Sequence, residues 1–156
     1  MSPTPVRFHD PGDTLWHFAA SVLVRCPRRE RIAHFERRPR TAADADAEGR
    51  RLPQSRVICR SCGLCRINTG RNQCFRPPLW LRAETRHGQL WAYHLPHLDL
   101  IRRFVAADLR ERAPWYDTGR RMTPVARLPA WIKSAENRDE VLRAVDRLRA
   151  TVTAPD

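Results

Sequence analysis

The clearest pattern of apolar positions lies in the second half of the chain. One set of apolar residues recurs at intervals of three, four and four positions: Leu98, Ile101, Val105 and Leu109. This spacing puts them on one face of a helix and predicts that helix over residues 95–113, ending before Pro114. A second helical region is predicted over residues 128–148, broken near Asn137, with Asp139 as the N-cap of its last part.

The first half of the chain contains shorter apolar segments that favour strands. Each is too short for a helix and lies next to a turn signal: residues 21–25, 31–36, 56–60 and 64–68. They predict two hairpins. A third hairpin is predicted from residues 79–84 and 89–95, because the turn between them contains Gly88, which adopts the backbone conformations that tight turns require.

Length and terminal sequence restrict the class of protein. With 156 residues the chain has room for one domain of ordinary size. No apolar run approaches the roughly 18 residues of a membrane span, and the first residues lack the apolar core of a secretory signal. We therefore expect a soluble protein in the cytoplasm, where cysteines serve as thiols or metal ligands more often than as disulfides.

Charge changes this picture further. The chain has 29 Lys and Arg against 17 Asp and Glu, a formal net charge of +12. Residues 25–76 alone carry fourteen arginines and five acidic residues. Such a balance predicts attraction to polyanions, of which nucleic acid is the commonest, and the arginine fork suits phosphate. The predicted nucleic-acid-binding residues are Arg25, Arg28, Arg29, Arg31, Arg37, Arg38 and Arg60; the alternative is a solubilising basic surface.

The cysteines of the same segment follow a metal-binding spacing. Cys59 and Cys62 are separated by two residues and followed by Gly63, a spacing at which two thiolates meet one tetrahedral ion. Cys26 begins a second segment of the same shape, in which Arg29 occupies the place of the second cysteine. The predicted ligands of a zinc ion are therefore Cys26, Cys59 and Cys62.

A closed structural zinc site needs a fourth ligand. Cys65 and His34 are equal candidates, and Cys74 is a third. The spacing of Cys59, Cys62 and Cys65 also matches the start of a ferredoxin-type iron–sulfur pattern, but the cysteine followed by proline that completes this pattern is missing. Zinc is the favoured ion.

Several motifs spread over most of the chain carry a resemblance: Cys26-Pro, Cys59-Arg-Ser-Cys-Gly, Pro78-Leu-Trp-Leu, Leu90-Trp-Ala-Tyr and Leu128-Pro-Ala-Trp-Ile-Lys-Ser. As a set they resemble a family of bacterial proteins, best populated in actinobacteria, that contain a transcription-factor-IIB-type zinc ribbon. The resemblance implies a four-cysteine ribbon in which Cys26, Cys59 and Cys62 are ligands and Arg29 stands at the fourth position. It implies nucleic-acid or protein contacts by analogy.

These observations predict an α+β fold: a zinc-ribbon-like antiparallel β module plus a Trp-rich β-hairpin, covered by two C-terminal helical segments. We expect a disordered tail over residues 1–11 and the ribbon-like module over 12–76, with a flexible insertion at 37–55. The hairpin and helices occupy residues 77–156. We expect them to pack with the ribbon as one domain.

The predicted function is non-enzymatic binding of DNA or RNA through the arginine-rich ribbon surface. The alternative is a protein–protein interaction adaptor whose partner recognises the Trp-bearing helices, with a structural or vestigial zinc site. An enzyme that uses Cys59 and Cys62, or His94 and His97, is a third and weaker hypothesis, because these histidines are expected to be solvated or to cap backbone groups.

Overall fold

The structure is a computed structural model that describes residues 4–38, 54–69, 77–111 and 123–154. It contains antiparallel sheets and C-terminal helices, which confirms the predicted α+β class. In chain order the elements are β1 (Arg7–Phe8), α1 (Leu15–Phe18), β2 (Ser21–Arg25), β3 (Ile32–Arg38), β4 (Gln54–Cys59), β5 (Leu64–Thr69), β6 (Arg82–Thr85), β7 (Gly88–Trp91), α2 (Leu95–Ala106), β8 (Leu109–Arg110), α3 (Ala130–Lys133), a 3-10 turn (Ala135–Asn137) and α4 (Arg138–Thr153).

The chain divides into two compact units. One unit is Ala19–Leu81, and the other combines Met1–Phe18 with Arg82–Asp156. The boundary therefore lies a few residues later than the predicted one at residues 76 and 77. Residues 4–18 belong to the second unit, which contains the described helices and is called the helical unit below. Among the described helices, none has both the length and the apolar character that crossing a membrane requires.

The unit Ala19–Leu81 is built on one four-stranded antiparallel sheet of order β2-β3-β4-β5. The strands alternate in the way a half-buried sheet demands, since Ala33, Phe35 and Val57 are buried and their sequence neighbours are more exposed. Phe35 lies opposite Val57 in the register of β3 and β4. The predicted insertion at 37–55 is shorter than expected, because β3 continues to Arg38 and β4 begins at Gln54; residues 39–53 lie outside the described residues.

A short segment extends this sheet on its free β2 side. Leu79 forms a bridge to Val24, and the Trp80 N–H donates to the Leu23 carbonyl at 2.9 Å. The Arg25 N–H donates to the carbonyl of Pro78 at 2.8 Å. The residues around Leu79 therefore pair with β2 and are not the first strand of the third hairpin, which begins only at Arg82.

The other unit packs α2 against α4, with the hairpin of β6 and β7 beside them. Its core includes apolar residues that are almost fully buried: Leu90, Leu98, Ile101, Val105, Val141 and Val145. Gly88 opens β7 with φ of +141°, and a Cβ there would lie 3.3 Å from Nε1 of Trp131. The backbone conformation thus favours glycine at this turn, and an added Cβ would also be in tight contact with the Trp131 side chain.

Helix α2 ends at Ala106, earlier than the predicted residue 113. Leu109, which the helical spacing assigned to the apolar stripe, lies instead in β8 and is 44 % exposed. The cause is a long-range pairing that local spacing does not encode. Strand β8 runs parallel to β1, and the Asp108 and Leu109 N–H groups both donate to the Val6 carbonyl.

This pairing also revises the predicted disordered tail over residues 1–11. Phe8 is 4 % exposed and packs edge-on against Phe104, with ring centroids 5.3 Å apart. Asp10 is buried and accepts a hydrogen bond from Thr123 Oγ1 at 2.7 Å. Residues 7–10 are therefore part of the fold. The prolines near them favour a disordered tail in the sequence, but the Phe8 side chain is buried.

Two histidines define the start of α2. His94 is its N-cap, and Nδ1 of His94 accepts the His97 N–H at 3.2 Å. Nδ1 of His97 accepts the Tyr93 N–H at 3.1 Å, and Phe18 stacks on the His97 ring with centroids 5.2 Å apart. Burial lowers the pKa of His97 to about 4, with a smaller contribution from His94. The His97 ring is therefore neutral at pH 7.

Replacing Phe8 tests whether the first residues belong to the core. We expect Phe8→Ala to lower the free energy of unfolding by about 3–5 kcal/mol, the usual loss for a buried phenylalanine. Val6→Ala, at a position 58 % exposed, is the matched control and should change it by less than about 0.5 kcal/mol. Denaturant unfolding of both variants is the measurement. Equal free energies of unfolding for Phe8→Ala and the wild type would show instead that Phe8 lies in a disordered tail.

The histidine at the start of α2 predicts a pH dependence of stability. Folding lowers the pKa of His97 from about 6.5 to about 4, so the folded state binds fewer protons. The free energy of unfolding is therefore unaffected by His97 above about pH 6.5, where the ring is neutral in both states. It falls by up to about 3 kcal/mol as the pH drops towards 4, because the unfolded state binds the proton more tightly. Unfolding at several pH values should show that His97→Asn removes this part of the acid destabilisation. An unchanged pH profile would contradict the assignment.

Candidate metal centre

The sheet topology brings two turns together at one edge of the unit Ala19–Leu81. Strands β2 and β4 both pair antiparallel with β3, so they run in the same direction and end at the same edge. Cys26 directly follows β2, and Cys59 is the last residue of β4. Residues far apart in sequence thereby meet because of strand pairing alone.

Three cysteines converge at this edge, as the sequence predicted. The sulfur atoms of Cys26, Cys59 and Cys62 all lie within 4.8 Å of one another, and those of Cys26 and Cys62 are 3.6 Å apart. Thiolates on a tetrahedral zinc ion, with bonds of about 2.3 Å, are separated by about 3.8 Å. The separation is far too long for a disulfide bond of about 2.05 Å. The arrangement fits a metal ion and requires little adjustment.

The two turns have the same local design. The residue four positions after the first cysteine has a left-handed backbone in both: Glu30 has φ of +49° and Gly63 has φ of +70°. The first turn is closed by the Cys26 N–H, which donates to the Arg31 carbonyl at 2.7 Å. Arg29 therefore occupies the position in the first turn that Cys62 occupies in the second.

Hydrogen bonds to sulfur tune the first thiol. Burial raises the pKa of Cys26, but the backbone N–H groups of Arg28 and Arg29 and the thiols of Cys59 and Cys62 outweigh it and lower that pKa below its ordinary value. Donors aimed at a sulfur stabilise its thiolate form, which is the form that binds metals. The cysteine spacing in the sequence does not reveal these donors at Arg28 and Arg29.

The second turn behaves differently. The Leu64 N–H lowers the pKa of the Cys62 thiol, but burial and the neighbouring Cys26 and Cys59 sulfurs raise it above its ordinary value. Three sulfur atoms this close cannot all ionise without a cation between them, since each negative charge opposes the next. The donor set therefore suits a thiophilic cation that compensates the charge.

The proposed fourth ligands do not join the cluster. His34 lies opposite Ile58, which in turn lies opposite Cys65, so these side chains share one face of the sheet. Cys59 belongs to the alternating set of buried residues on the other face. Sheet alternation therefore separates both candidates from the three sulfurs, and the exposed Cys65 does not support an iron–sulfur site. Cys74 lies outside the described residues.

The predicted basic residues divide into two groups. Arg28 and Arg29 lie in the turn after β2 and Arg60 in the turn after β4, all exposed and at the cysteine edge. Arg25 and Arg31 are exposed and flank the first turn, whereas Arg37 is half-buried near the opposite end of β3. Arg38 ends that strand, and its side chain is not described. Arginines that are close in sequence therefore lie at opposite ends of the sheet.

One contact at this edge was not anticipated. The guanidinium of Arg25 lies over the ring of Trp80, 5.2 Å from its centroid. The contact arises because the segment around Leu79 pairs with β2, which sequence spacing does not reveal. A cation held over an aromatic face keeps its planar fork in a defined orientation.

Comparison of the chain with protein-family models, with curated proteins and with solved structures finds no match.

Replacing single cysteines tests the centre. We expect the wild type to bind one equivalent of Co²⁺ with thiolate-to-metal charge-transfer absorption, and Cys59→Ser to lose this signal because a central ligand is removed. Cys65→Ser is the matched control and should titrate like the wild type, since Cys65 lies on the other face of the sheet. The same titration of Cys74→Ser shows whether that residue participates. Equal loss in Cys65→Ser and Cys59→Ser would contradict the geometry.

Proposed function

We propose that this protein is a zinc-ribbon-like nucleic-acid-binding protein without a catalytic role. The observation that carries the proposal is that the two turns holding Cys26, Cys59 and Cys62 are also the turns that present exposed arginines. A metal ion at the sulfurs and a polyanion at the arginines would thus act on the same structural element. The motifs named in the sequence analysis lead us to propose, in addition, a likeness to bacterial proteins with a transcription-factor-IIB-type zinc ribbon.

Zinc is the ion we propose for the three thiolates. It prefers sulfur ligands in a tetrahedral arrangement and undergoes no redox change. When bound, it would connect the ends of β2 and β4 and neutralise the accumulated negative charge of Cys26, Cys59 and Cys62. Because such sites form only in the folded chain, the binding free energy would contribute to the stability of the sheet.

The charge of the unit favours a polyanion. The described residues of Ala19–Leu81 contain nine arginines and two glutamates. Glu36 is paired with Arg56 at 2.7 Å, on the sheet and away from the turns. Glu30 is the acidic residue that remains at the cysteine edge among the described residues, so that edge has a clear positive excess. Arginine forks bind phosphate oxygens in a bidentate manner.

The turn arginines are suited to phosphate because they are not occupied by acidic partners. Arg28, Arg29 and Arg60 are exposed, and no described residue forms an ion pair with them. Their backbones are fixed by the turns, which reduces the entropy lost when their side chains bind. Contacts of this kind position a protein on nucleic acid without reading its sequence. We therefore propose binding that depends strongly on salt and weakly on sequence.

Removing the turn arginines tests the proposal. We expect the triple variant Arg28→Gln, Arg29→Gln, Arg60→Gln to bind single-stranded and duplex oligonucleotides at least about tenfold more weakly at low salt. If three phosphate contacts are lost, the slope of log affinity against log salt should fall by about 2–3. Fluorescence anisotropy over a range of salt concentrations measures both quantities.

A second triple variant provides the control for net charge. Arg103, Arg143 and Arg147 are exposed on α2 and α4, and no described residue pairs with them. Changing these three to Gln removes the same amount of charge. It should leave the affinity within about twofold of the wild type, because it reduces only the nonspecific attraction that depends on net charge. Equal losses in the two variants would exclude a defined interface. A wild type that binds no oligonucleotide would favour the adaptor hypothesis instead.

A further inference from the structure

The helical unit contains a cavity that neither the metal centre nor the basic turns use. It has a volume of about 300 Å³ and lies between β7, α2, α3 and the segment before α3. Much of its wall is apolar, with Leu15, Ile101, Leu128 and Ile132 contributing aliphatic side chains. This volume lies at the lower end of the roughly 300–1,000 Å³ typical of small-molecule sites.

One buried polar side chain lines this cavity with an unused donor. His97 is 3 % exposed, and its Nδ1 atom is occupied by the Tyr93 N–H. Since the ring is neutral and Nδ1 accepts a hydrogen bond, the ring proton resides on Nε2. None of the described residues accepts a hydrogen bond from Nε2. A ligand acceptor in the cavity can therefore accept this N–H without displacing a hydrogen bond between described residues.

Aromatic rings fix the orientation of that donor. Phe18 stacks on the His97 ring, and Trp91 meets it edge-on at 5.8 Å between centroids. Tyr93 lies against both His97 and Trp91. The imidazole is thus held in place before any ligand enters, which lowers the entropy lost on binding.

A cation lies at the open side of the same cavity. Arg127 lines it and is exposed, and among the described residues no carboxylate or carbonyl accepts from its guanidinium. An apolar wall, a fixed neutral N–H donor and an available guanidinium together select a ligand with an apolar body and an acceptor group of negative charge. A carboxylate satisfies both donors.

We infer that this cavity is a binding site for a small apolar carboxylate, a monocarboxylic acid with a single ring or a short branched chain. The carboxylate would accept from Arg127 and His97, and the apolar body would contact Ile101, Leu128 and Trp91. The site lies entirely in the unit of Met1–Phe18 and Arg82–Asp156. It therefore shares no residue with the proposed nucleic-acid interface.

Calorimetric titration of the full chain with phenylacetate tests this inference. We expect saturable 1:1 binding with Kd on the order of 1 mM or tighter. Two related probes divide the interaction into its parts: phenylacetamide keeps the ring without the charge, and acetate keeps the charge without the ring. Both should bind at least about tenfold more weakly, because each lacks one of the two features that the cavity selects.

Variants locate the binding. Arg127→Gln should weaken phenylacetate about tenfold, the loss expected for one charge-assisted hydrogen bond, and Arg143→Gln on exposed α4 should not. Leu128→Trp should fill the cavity and abolish binding, whereas Leu109→Trp, at an exposed position outside it, should have no effect. Thermal melting confirms that each variant folds.

Several outcomes would overturn the inference. They are acetate and phenylacetate binding equally, Arg143→Gln weakening binding as much as Arg127→Gln, or no saturable binding by the wild type up to about 10 mM. Because Arg127 is exposed, its substitution leaves the core intact. The result for Arg127→Gln therefore decides the question even if Leu128→Trp fails to fold.

Discussion

The antiparallel pairing of β3 with both β2 and β4 is the constraint on which the candidate metal centre depends. It makes β2 and β4 run in the same direction, so that their C-terminal ends, at Arg25 and Cys59, lie at the same edge. A slip of one residue in either pairing would move every side chain of that strand to the other face. The three sulfur atoms therefore converge because β3 pairs with β2 and β4 in this register.

The same edge carries two sets of like charges. Thiolates within 4.8 Å of one another would repel, and arginines on the adjoining turns repel one another as well. In the proposed function, a cation at the sulfurs would remove the first repulsion and phosphate at the guanidiniums the second. The backbone N–H groups of Arg28 and Arg29 connect the two sets, since they donate to the Cys26 sulfur while their side chains point to solvent.

Local patterns predicted the strands, the start of α2 and the three clustered cysteines, because spacing along the chain determines which side chains share a face or a turn. They did not predict contacts that join distant segments. The sequence favours a tail for Phe8 because its packing partner, Phe104, lies far along the chain. It also makes His34 a candidate ligand, because distance in sequence does not show on which face of a sheet a residue lies.

The same limit applies to the cavity, whose walls come from segments that are separate in sequence. The proposed metal centre requires that Cys26, Cys59 and Cys62 bind a single metal ion. X-ray absorption spectroscopy of the zinc-loaded protein tests this claim most directly, because it counts sulfur neighbours. We predict at least three sulfur atoms at about 2.3 Å from zinc. A first shell with two or fewer sulfur atoms would contradict the account.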